Sequence, residues 1–461
     1  MKVLQVTHLY FPESRGGTET HVHLLAQALA ARHEVAVCAH LQDYAHPEHA
    51  LLRDTYEGLP VYRLVNNFTW GGDAEYFFYD PGQDAPFAEV LDAVRPDVVH
   101  FHHLGGGLST SFVGIARRRG VPLVLTLHDL WPMCYRSHLL TTDGRLCPGP
   151  DDGLRCARCW ELEAQAPQAT WRERAREVGL ANALRMAPGA ILRAVAWRVV
   201  PMPGGYHATR LLARDAYFRR LLGRFDRLVA PSRFLRGHYV EWGVPEERIL
   251  HLQNGVHPAH FAGLRRELPN GERLAVAYLG SLLPHKGLDV LVDAANALAD
   301  APLDLTIHGR ISGRRETEEY VRSLRARLTN PHVTFAGPYD PAELGRVLSA
   351  ADVVVVPSIL YENCPMAILE AQYAGRPVVA SNVGGMAELV RDGVDGRTFR
   401  VGDAGDLAAR LRALAADRDA LLALQRGITP PQTMATVAER VAALYDEVCA
   451  ACAARRAERE E

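Results

Sequence analysis

The sequence predicts a doubly wound α/β architecture in two domains, with a helical insertion in the first. Three observations carry it. Short apolar runs recur, each followed by a loop and then by a segment with helical spacing. The runs are apolar throughout rather than alternating, which marks strands buried on both faces, as in parallel βα units. The chain has 461 residues, enough for two or three domains at ~150 residues each.

The strand runs are Val3–Leu9, Glu34–His40, Asp97–His103, Leu123–Asp129, Asp226–Ser232, Ile249–Gly255, Ala275–Ser281, Leu303–Gly309, Val333–Gly337, Asp352–Ser358 and Pro377–Ser381. Helical spacing falls on Thr18–Ala31, Lys286–Ala299, Pro341–Ala350, Pro365–Gly375 and Asp406–Ala415. Asp340-Pro341 with Glu343 gives the third of these a start signal. Periodicity lapses into Pro, Gly and charges near 257–272, which predicts a linker. The expected organisation is a first domain over 1–258, a linker over 259–272 and a second domain over 273–430. A terminal helix in 431–461 should return to the first domain.

Composition narrows the class. Apolar residues make up 48% and charged residues 23%, the balance of a soluble globular protein. Lys and Arg number 51 against 54 acids, a net charge of −3, which argues against a generally basic nucleic-acid binder. No run is long and apolar enough for a membrane span. The start, MKVLQVTHLYFPE, reads as a strand rather than a leader, so a cytoplasmic chain is expected.

The densest chemistry lies at Pro357–Pro377. A strand ends at Ser358, a loop carries Glu362, and a helix opening at Pro365 carries Glu370. Proline suits a first helical position, and the unpaired amides there suit an anion or sugar hydroxyls. A glutamate inside that helix can accept from two vicinal hydroxyls, as on a ribose. Gly384-Gly385 before Glu388 makes a second strand–turn–helix junction, where glycine lets backbone approach a phosphate.

These residues resemble family 4 of the retaining glycosyltransferases, of the GT-B fold, with two Rossmann-like domains facing a cleft. Glu362 and Glu370 stand eight apart as in the family. Gly384, Gly385 and Glu388 match its Gly-Gly-x-x-Glu turn, Gly280 through Lys286-Gly287 its Lys-Gly loop, and Gly16-Gly17 its N-terminal loop. The resemblance implies a nucleotide-sugar donor, with Glu370 on the ribose. Glu362 and the amides of Asn363, Cys364, Pro365 and Met366 would lie at the sugar, Lys286 on the diphosphate, and Gly17 across the cleft. It implies no metal at the diphosphate. Ser281 departs from the pattern, since the family usually has arginine there; Arg310 and His285 are the candidate replacements. The implied reaction is same-face displacement, in which the departing phosphate helps deprotonate the acceptor.

Two further strands end in histidine. His100 and His102 share a face of theirs by period two, with His103 beside them, and His128 ends the next strand. By resemblance His128 is the main site histidine, with His102 and His103 lining the acceptor side. Glu13 and Glu19 flank the glycine loop and are weaker acceptor-side candidates.

Cys134, Cys147, Cys156 and Cys159 crowd together, and Cys156-Ala-Arg-Cys159 is the usual half of a tetrahedral zinc site. Structural zinc, an iron–sulfur cluster, disulfides and free thiols remain open. His128-Asp129-x-Trp131 precedes these cysteines, as in some bacterial family members. The insertion, 160–224, is basic: from Trp171 to Arg224 eleven arginines face Glu173, Glu177 and Asp215. Ala183–Val200 mixes arginine with Leu, Ile, Val and Trp, which suits either an anionic membrane surface or a helical cap on the first domain.

The expected function is therefore transfer of a sugar from a nucleotide-sugar to a glycan or lipid-linked saccharide, in the cytoplasm or at the inner membrane face, with no nucleic-acid partner. An epimerase of the same fold is the enzymatic rival. A zinc-containing binding protein with weakened transfer is the other, on the strength of Ser281. A dehydrogenase is disfavoured, because no Gly-x-Gly-x-x-Gly follows the first strand.

Overall fold

The computed structural model describes residues 1–68, 78–150, 155–159, 204–269, 271–311 and 315–460. Most of the basic insertion, 160–203, lies outside the described residues. The chain divides into two compact units. One comprises Met1–Ala230, Arg236–His251 and Ala438–Glu461; the other comprises Pro231–Leu235 and Leu252–Val437.

The first unit is built on β1 (Lys2–Thr7), β2 (Glu34–Leu41), β3 (Leu51–Tyr56), β4 (Leu59–Val65), β5 (Val98–Phe101), β6 (Leu123–Thr126), β7 (Arg227–Ala230) and β8 (Ile249–His251), in the order β3-β4-β2-β1-β5-β6-β7-β8. All pairs are parallel except β3 with β4. This hairpin escapes the sequence reading because Arg53, Asp54 and Thr55 leave β3 exposed, and an edge strand needs no apolar run. On β1, Val3, Leu4 and Val6 are buried core, yet Gln5 and Thr7 are fully buried too. Buried polar side chains on a central strand need partners, and Gln5 finds them in the site described below.

The second unit holds β9 (Leu274–Leu279), β10 (Leu303–His308), β11 (Val333–Gly337), β12 (Val353–Val356), β13 (Val378–Ser381) and β14 (Gly396–Phe399), all parallel, in the order β11-β10-β9-β12-β13-β14. The four valines of β12 are all buried, as a central parallel strand requires. Strand order reverses between β1 and β5 in one sheet and between β9 and β12 in the other. Ligands in doubly wound folds gather beyond the carboxyl ends of strands at such points.

The expected linker is corrected. The first unit's strands end at His251, and 259–269 packs on the second unit. Leu268 joins its core, and Phe261 packs at a tilt against Tyr373, ring centroids 4.5 Å apart. Fully buried Arg376 donates to the carbonyls of Arg265, Arg266 and Glu267. A run of Pro, Gly and charge is here an ordered strap, because one buried guanidinium satisfies its carbonyls. The last helix, Met434–Glu460, belongs to the first unit from Ala438 onward. Val441, Leu444, Tyr445 and Val448 are buried there, an i, i+3, i+4, i+7 stripe.

Candidate active site

In the second unit, β9 leads into a loop and the short turn Pro284–Lys286. Gly287 follows at φ +75°, where a Cβ would collide with the Pro357 carbonyl. Only glycine lets this turn lie against the end of β12, and that approach brings Lys286 to Glu362. Lys286 Nζ donates to Glu362 Oε1 at 2.6 Å, and Ser358 Oγ donates to the same oxygen at 2.6 Å. Burial alone would raise the Glu362 carboxyl, but Lys286, Ser358 and His285 outweigh it and hold it below the usual range. Glu362 is therefore an ionised carboxylate that positions a cation at the carboxyl ends of β9 and β12.

Glu370 lies in the helix Met366–Tyr373. Its carboxyl is pushed up to about 7 by burial alone, and it has no side-chain hydrogen bond among the described residues. Burial and the Glu370 charge together push the Tyr339 hydroxyl up. A half-buried acceptor that is partly desolvated and engaged by no side chain among the described residues is open to donors from a ligand.

The neighbouring motif residues are used for architecture. Gly385 N donates to the Glu362 carbonyl at 2.7 Å, and a Cβ on Gly385 would run into the Asn363 carbonyl oxygen. The Gly384-Gly385 turn thus seats the Glu362 loop. Glu388 accepts from the amides of Arg233 and Phe234, both at 3.0 Å, and Asn363 Oδ1 accepts from Ser232 Oγ at 2.6 Å. Gly384, Gly385 and Glu388, expected on the donor, are seen here seating the Glu362 loop and holding an amide pair. Cys364 is buried, its thiol pushed up to about 12 by burial, which leaves its backbone as the usable part. At Gly280-Ser281 the Ser281 carbonyl accepts from Tyr278 Oη at 2.8 Å. Arg310 is exposed, and its carbonyl accepts from Leu282 N at 3.3 Å.

In the first unit, Gly16 caps the helix Gly17–Ala30 without any side-chain cap. Glu19 folds beneath the loop: it is 4% exposed and accepts from Ser14 Oγ at 2.8 Å. Glu13 accepts from Arg63 Nη1 at 2.6 Å, and buried Arg63 also donates to the Phe11 carbonyl at 2.8 Å and to Asp54. Both glutamates, expected on the acceptor side, brace the loop here through a protein donor each.

The histidines form one network. Gln5 Nε2 donates to Tyr445 Oη at 3.0 Å, and Tyr445 Oη lies 2.7 Å from His100 Nδ1. Gln5 Oε1 lies 2.5 Å from His102 Nε2. Since that oxygen only accepts, His102 Nε2 carries the proton and Nδ1 the lone pair. His128 Nε2, at 3.1 Å, then donates to His102 Nδ1. His102 is 1% exposed, so it acts on His128 rather than lining a surface. Burial drives the pKa values of His102 and His128 well below the ordinary range, neighbouring histidines adding to it; burial alone takes His21 to about 4. His103 is different: burial opposes its charge, but Asp129 at 3.3 Å raises its pKa above the usual value. Sequence reasoning missed Gln5, His21 and Tyr445. Gln5 was legible as a polar residue inside an apolar run, whereas Tyr445 looks like any core tyrosine.

The four cysteines are free and line one cavity of about 370 Å³ with Arg214. Arg214 donates to the carbonyls of Pro132 and, at 2.5 Å, Trp131. Among the described residues, three metal-ligating atoms converge within 4.8 Å of one another only at His21, His102 and His128.

The fold is a pair of doubly wound, largely parallel α/β units with charged and polar clusters at the strand ends, and comparison with known proteins gives its family. The model of Glycosyltransferase Family 4 matches residues 15–166 and 181–260, and that of Glycosyl transferases group 1 matches 273–417. The chain belongs to glycosyltransferase family 4. It is similar to the D-inositol 3-phosphate glycosyltransferase of Nocardia farcinica, 35% identical over 224 residues, 46% of this chain and 49% of that protein. The chain thus matches about half the length of that relative. It is 27% identical to the glycogen synthase of Mycobacterium tuberculosis over 480 residues, 100% of this chain and 96% of that one. The crystal structure of Anabaena Alr3699/HepE in complex with UDP and glucose shares the fold. Its TM-score is 0.60 at 19% identity, covering 97% of this chain and 99% of that one.

Proposed function

We propose that this protein transfers a sugar, with retention, from a nucleotide-sugar to a glycan or lipid-linked saccharide. The observation that carries this is Glu370, a half-buried carboxyl with a raised pKa and no side-chain hydrogen bond among the described residues, in the same unit as the Lys286–Glu362 pair at 2.6 Å. Glu370 takes the ribose hydroxyls, Lys286 the diphosphate, and Glu362 with the backbone of 363–366 the sugar. In the reaction the bond from the anomeric carbon to phosphate breaks. The acceptor oxygen bonds to the same face, and its proton passes to the departing phosphate oxygen. Lys286 stabilises the charge that builds on that phosphate. His128 sits on the acceptor side.

Two finer readings accompany this. Cys134, Cys147, Cys156 and Cys159 take a structural zinc on the strength of their spacing and of the cavity they line; no three of their thiols meet within 4.8 Å in the structure, so binding requires them to draw together. The arginine-rich segment 171–224 attaches a cytoplasmic enzyme to an anionic membrane surface, where a lipid-linked acceptor resides. Zinc analysis and liposome flotation test these.

Thermal shift with UDP-, GDP- and ADP-sugars tests the main reading. A rise with one nucleotide class, abolished in Glu370→Ala, is the expected result. No rise with any of them removes the donor assignment.

A further inference from the structure

The histidine network contains a feature beyond the acceptor-side role given to His128. His21, on the first helix, His102, after β5, and His128, after β6, each bring one ligand atom within 4.8 Å of the others. His21 is 4% exposed, and its Nδ1 is buried with no hydrogen-bond partner. A buried imidazole nitrogen left unpaired is costly. His102 Nδ1 and His128 Nε2 lie 3.1 Å apart, close to the ~3.3 Å edge between two nitrogens on a tetrahedral zinc with 2.0–2.1 Å bonds; a metal there takes the place of the proton that His128 Nε2 otherwise donates, which leaves that nitrogen or moves to His128 Nδ1.

We propose that His21, His102 and His128 form a binding site for a borderline transition metal of the zinc class, with one coordination position left open. This inference shares His128 with the transfer reading, but none of its support comes from the second unit, and it is read out by metal retention rather than by transfer. The donor set selects the metal. Three imidazoles suit zinc, copper or nickel, whereas magnesium and calcium need oxygen. The nearby carboxylate of Asp129 is committed elsewhere, to His103 at 3.3 Å and to the Trp131 amide at 2.8 Å. The outer shell is also present. Gln5 Oε1 holds the far nitrogen of His102 at 2.5 Å, and Gln5 is itself held by Tyr445. Such a contact fixes the tautomer so that the ligating nitrogen faces inward, as metal-bound histidines usually require. His21 follows Gly17 by one helical turn, so a bound metal would tie the glycine loop to the ends of β5 and β6.

The test uses the full chain carrying Cys134→Ser and Cys156→Ser, which disables the thiolate set. After chelator stripping, zinc affinity is measured by competition with a chromophoric chelator, and retained metal is measured after gel filtration. Roughly one equivalent of zinc per chain is expected. Cobalt(II) should give visible d–d bands without thiolate charge transfer. His21→Gln and His102→Gln should each weaken zinc binding by at least about 100-fold, and Gln5→Leu by about 10–100-fold. Zinc should raise the melting temperature of the cysteine variant but not that of the histidine variants. Circular dichroism and metal-free melting of His21→Gln separate misfolding from lost ligation. No retained zinc in the cysteine variant, or equal affinity in a folded His21→Gln, overturns the proposal.

Discussion

The Tyr445 hydroxyl, on the last helix, lies 2.7 Å from Nδ1 of His100, on β5, although 345 positions separate the two residues. The same hydroxyl accepts from Gln5, whose other amide atom holds His102, which in turn holds His128. The terminal helix therefore does more than cover the sheet of the first unit: it anchors the chain of hydrogen bonds that sets the tautomer of the site histidine.

Tyr445→Phe keeps the ring and its packing but strands a Gln5 donor and a His100 nitrogen in the core. Leaving buried groups unsatisfied costs ~1–3 kcal/mol each, so with two groups stranded denaturant unfolding should show a loss of ~2–6 kcal/mol. Turnover should fall as well, with the donor KM nearly unchanged, because nothing in the second unit is altered. Equal stability of variant and parent would show that water replaces the hydroxyl.

Lys286 and Glu362 are coupled, and their variants should separate binding from charge stabilisation. Lys286→Met removes the cation facing the diphosphate and leaves the half-buried Glu362 carboxylate to the Ser358 hydroxyl. Removing a group that stabilises developing charge typically costs ~10²–10³ in kcat. The variant should lose affinity for a nucleoside diphosphate more than for the nucleoside, as calorimetric titration can read. Equal losses for both ligands would place Lys286 away from the phosphates.

Gly385 carries a prediction about architecture rather than chemistry. A methyl group there meets the Asn363 carbonyl oxygen, so Gly385→Ala must push the Glu362 loop away. Overpacking of this kind costs ~1–3 kcal/mol, and the displaced loop should also weaken donor binding. Gly17, whose added Cβ would meet nothing within 4 Å, is the control: Gly17→Ala should leave stability within ~0.5 kcal/mol of the parent.

The two parallel sheets were legible because buried parallel strands are apolar on both faces, and β12, with four valines, is the plainest case. The β3–β4 hairpin was not, since an exposed edge strand leaves little trace in hydrophobic pattern. Within the site, the sequence could rank Lys286, Glu362, Glu370 and His128 by their places at strand and helix ends. It could not show that Glu19, Glu13 and Glu388 are taken by Ser14, Arg63 and two backbone amides. Those partners lie as far as 155 positions away, and a motif records a residue without its partner. Segment 259–269 misled for the same reason, because the arginine that orders it lies at 376.

Glu370 links stability, pH and donor binding. Burial lifts its pKa in the folded protein from 4.5 to about 7, so the native state binds this proton more tightly than the unfolded chain does. Its contribution to stability is therefore fully present below pH 4.5 and is lost as the pH rises through about 7. Glu370→Gln keeps the shape and cannot ionise. At pH 8 the variant, without ligand, should be more stable than the parent by ~1–3 kcal/mol, and the difference should shrink as pH falls toward 5. Donor binding should run the other way. The ionised carboxylate is the better acceptor for two ribose hydroxyls, so affinity of the parent should rise from pH 6 to pH 8, while the variant's stays flat and weaker. Denaturant melts and calorimetric titrations with the preferred nucleotide across that range measure both slopes. A variant that is less stable than the parent at pH 8 would mean that Glu370 has a protein donor in solution, and the ribose assignment would fall with it.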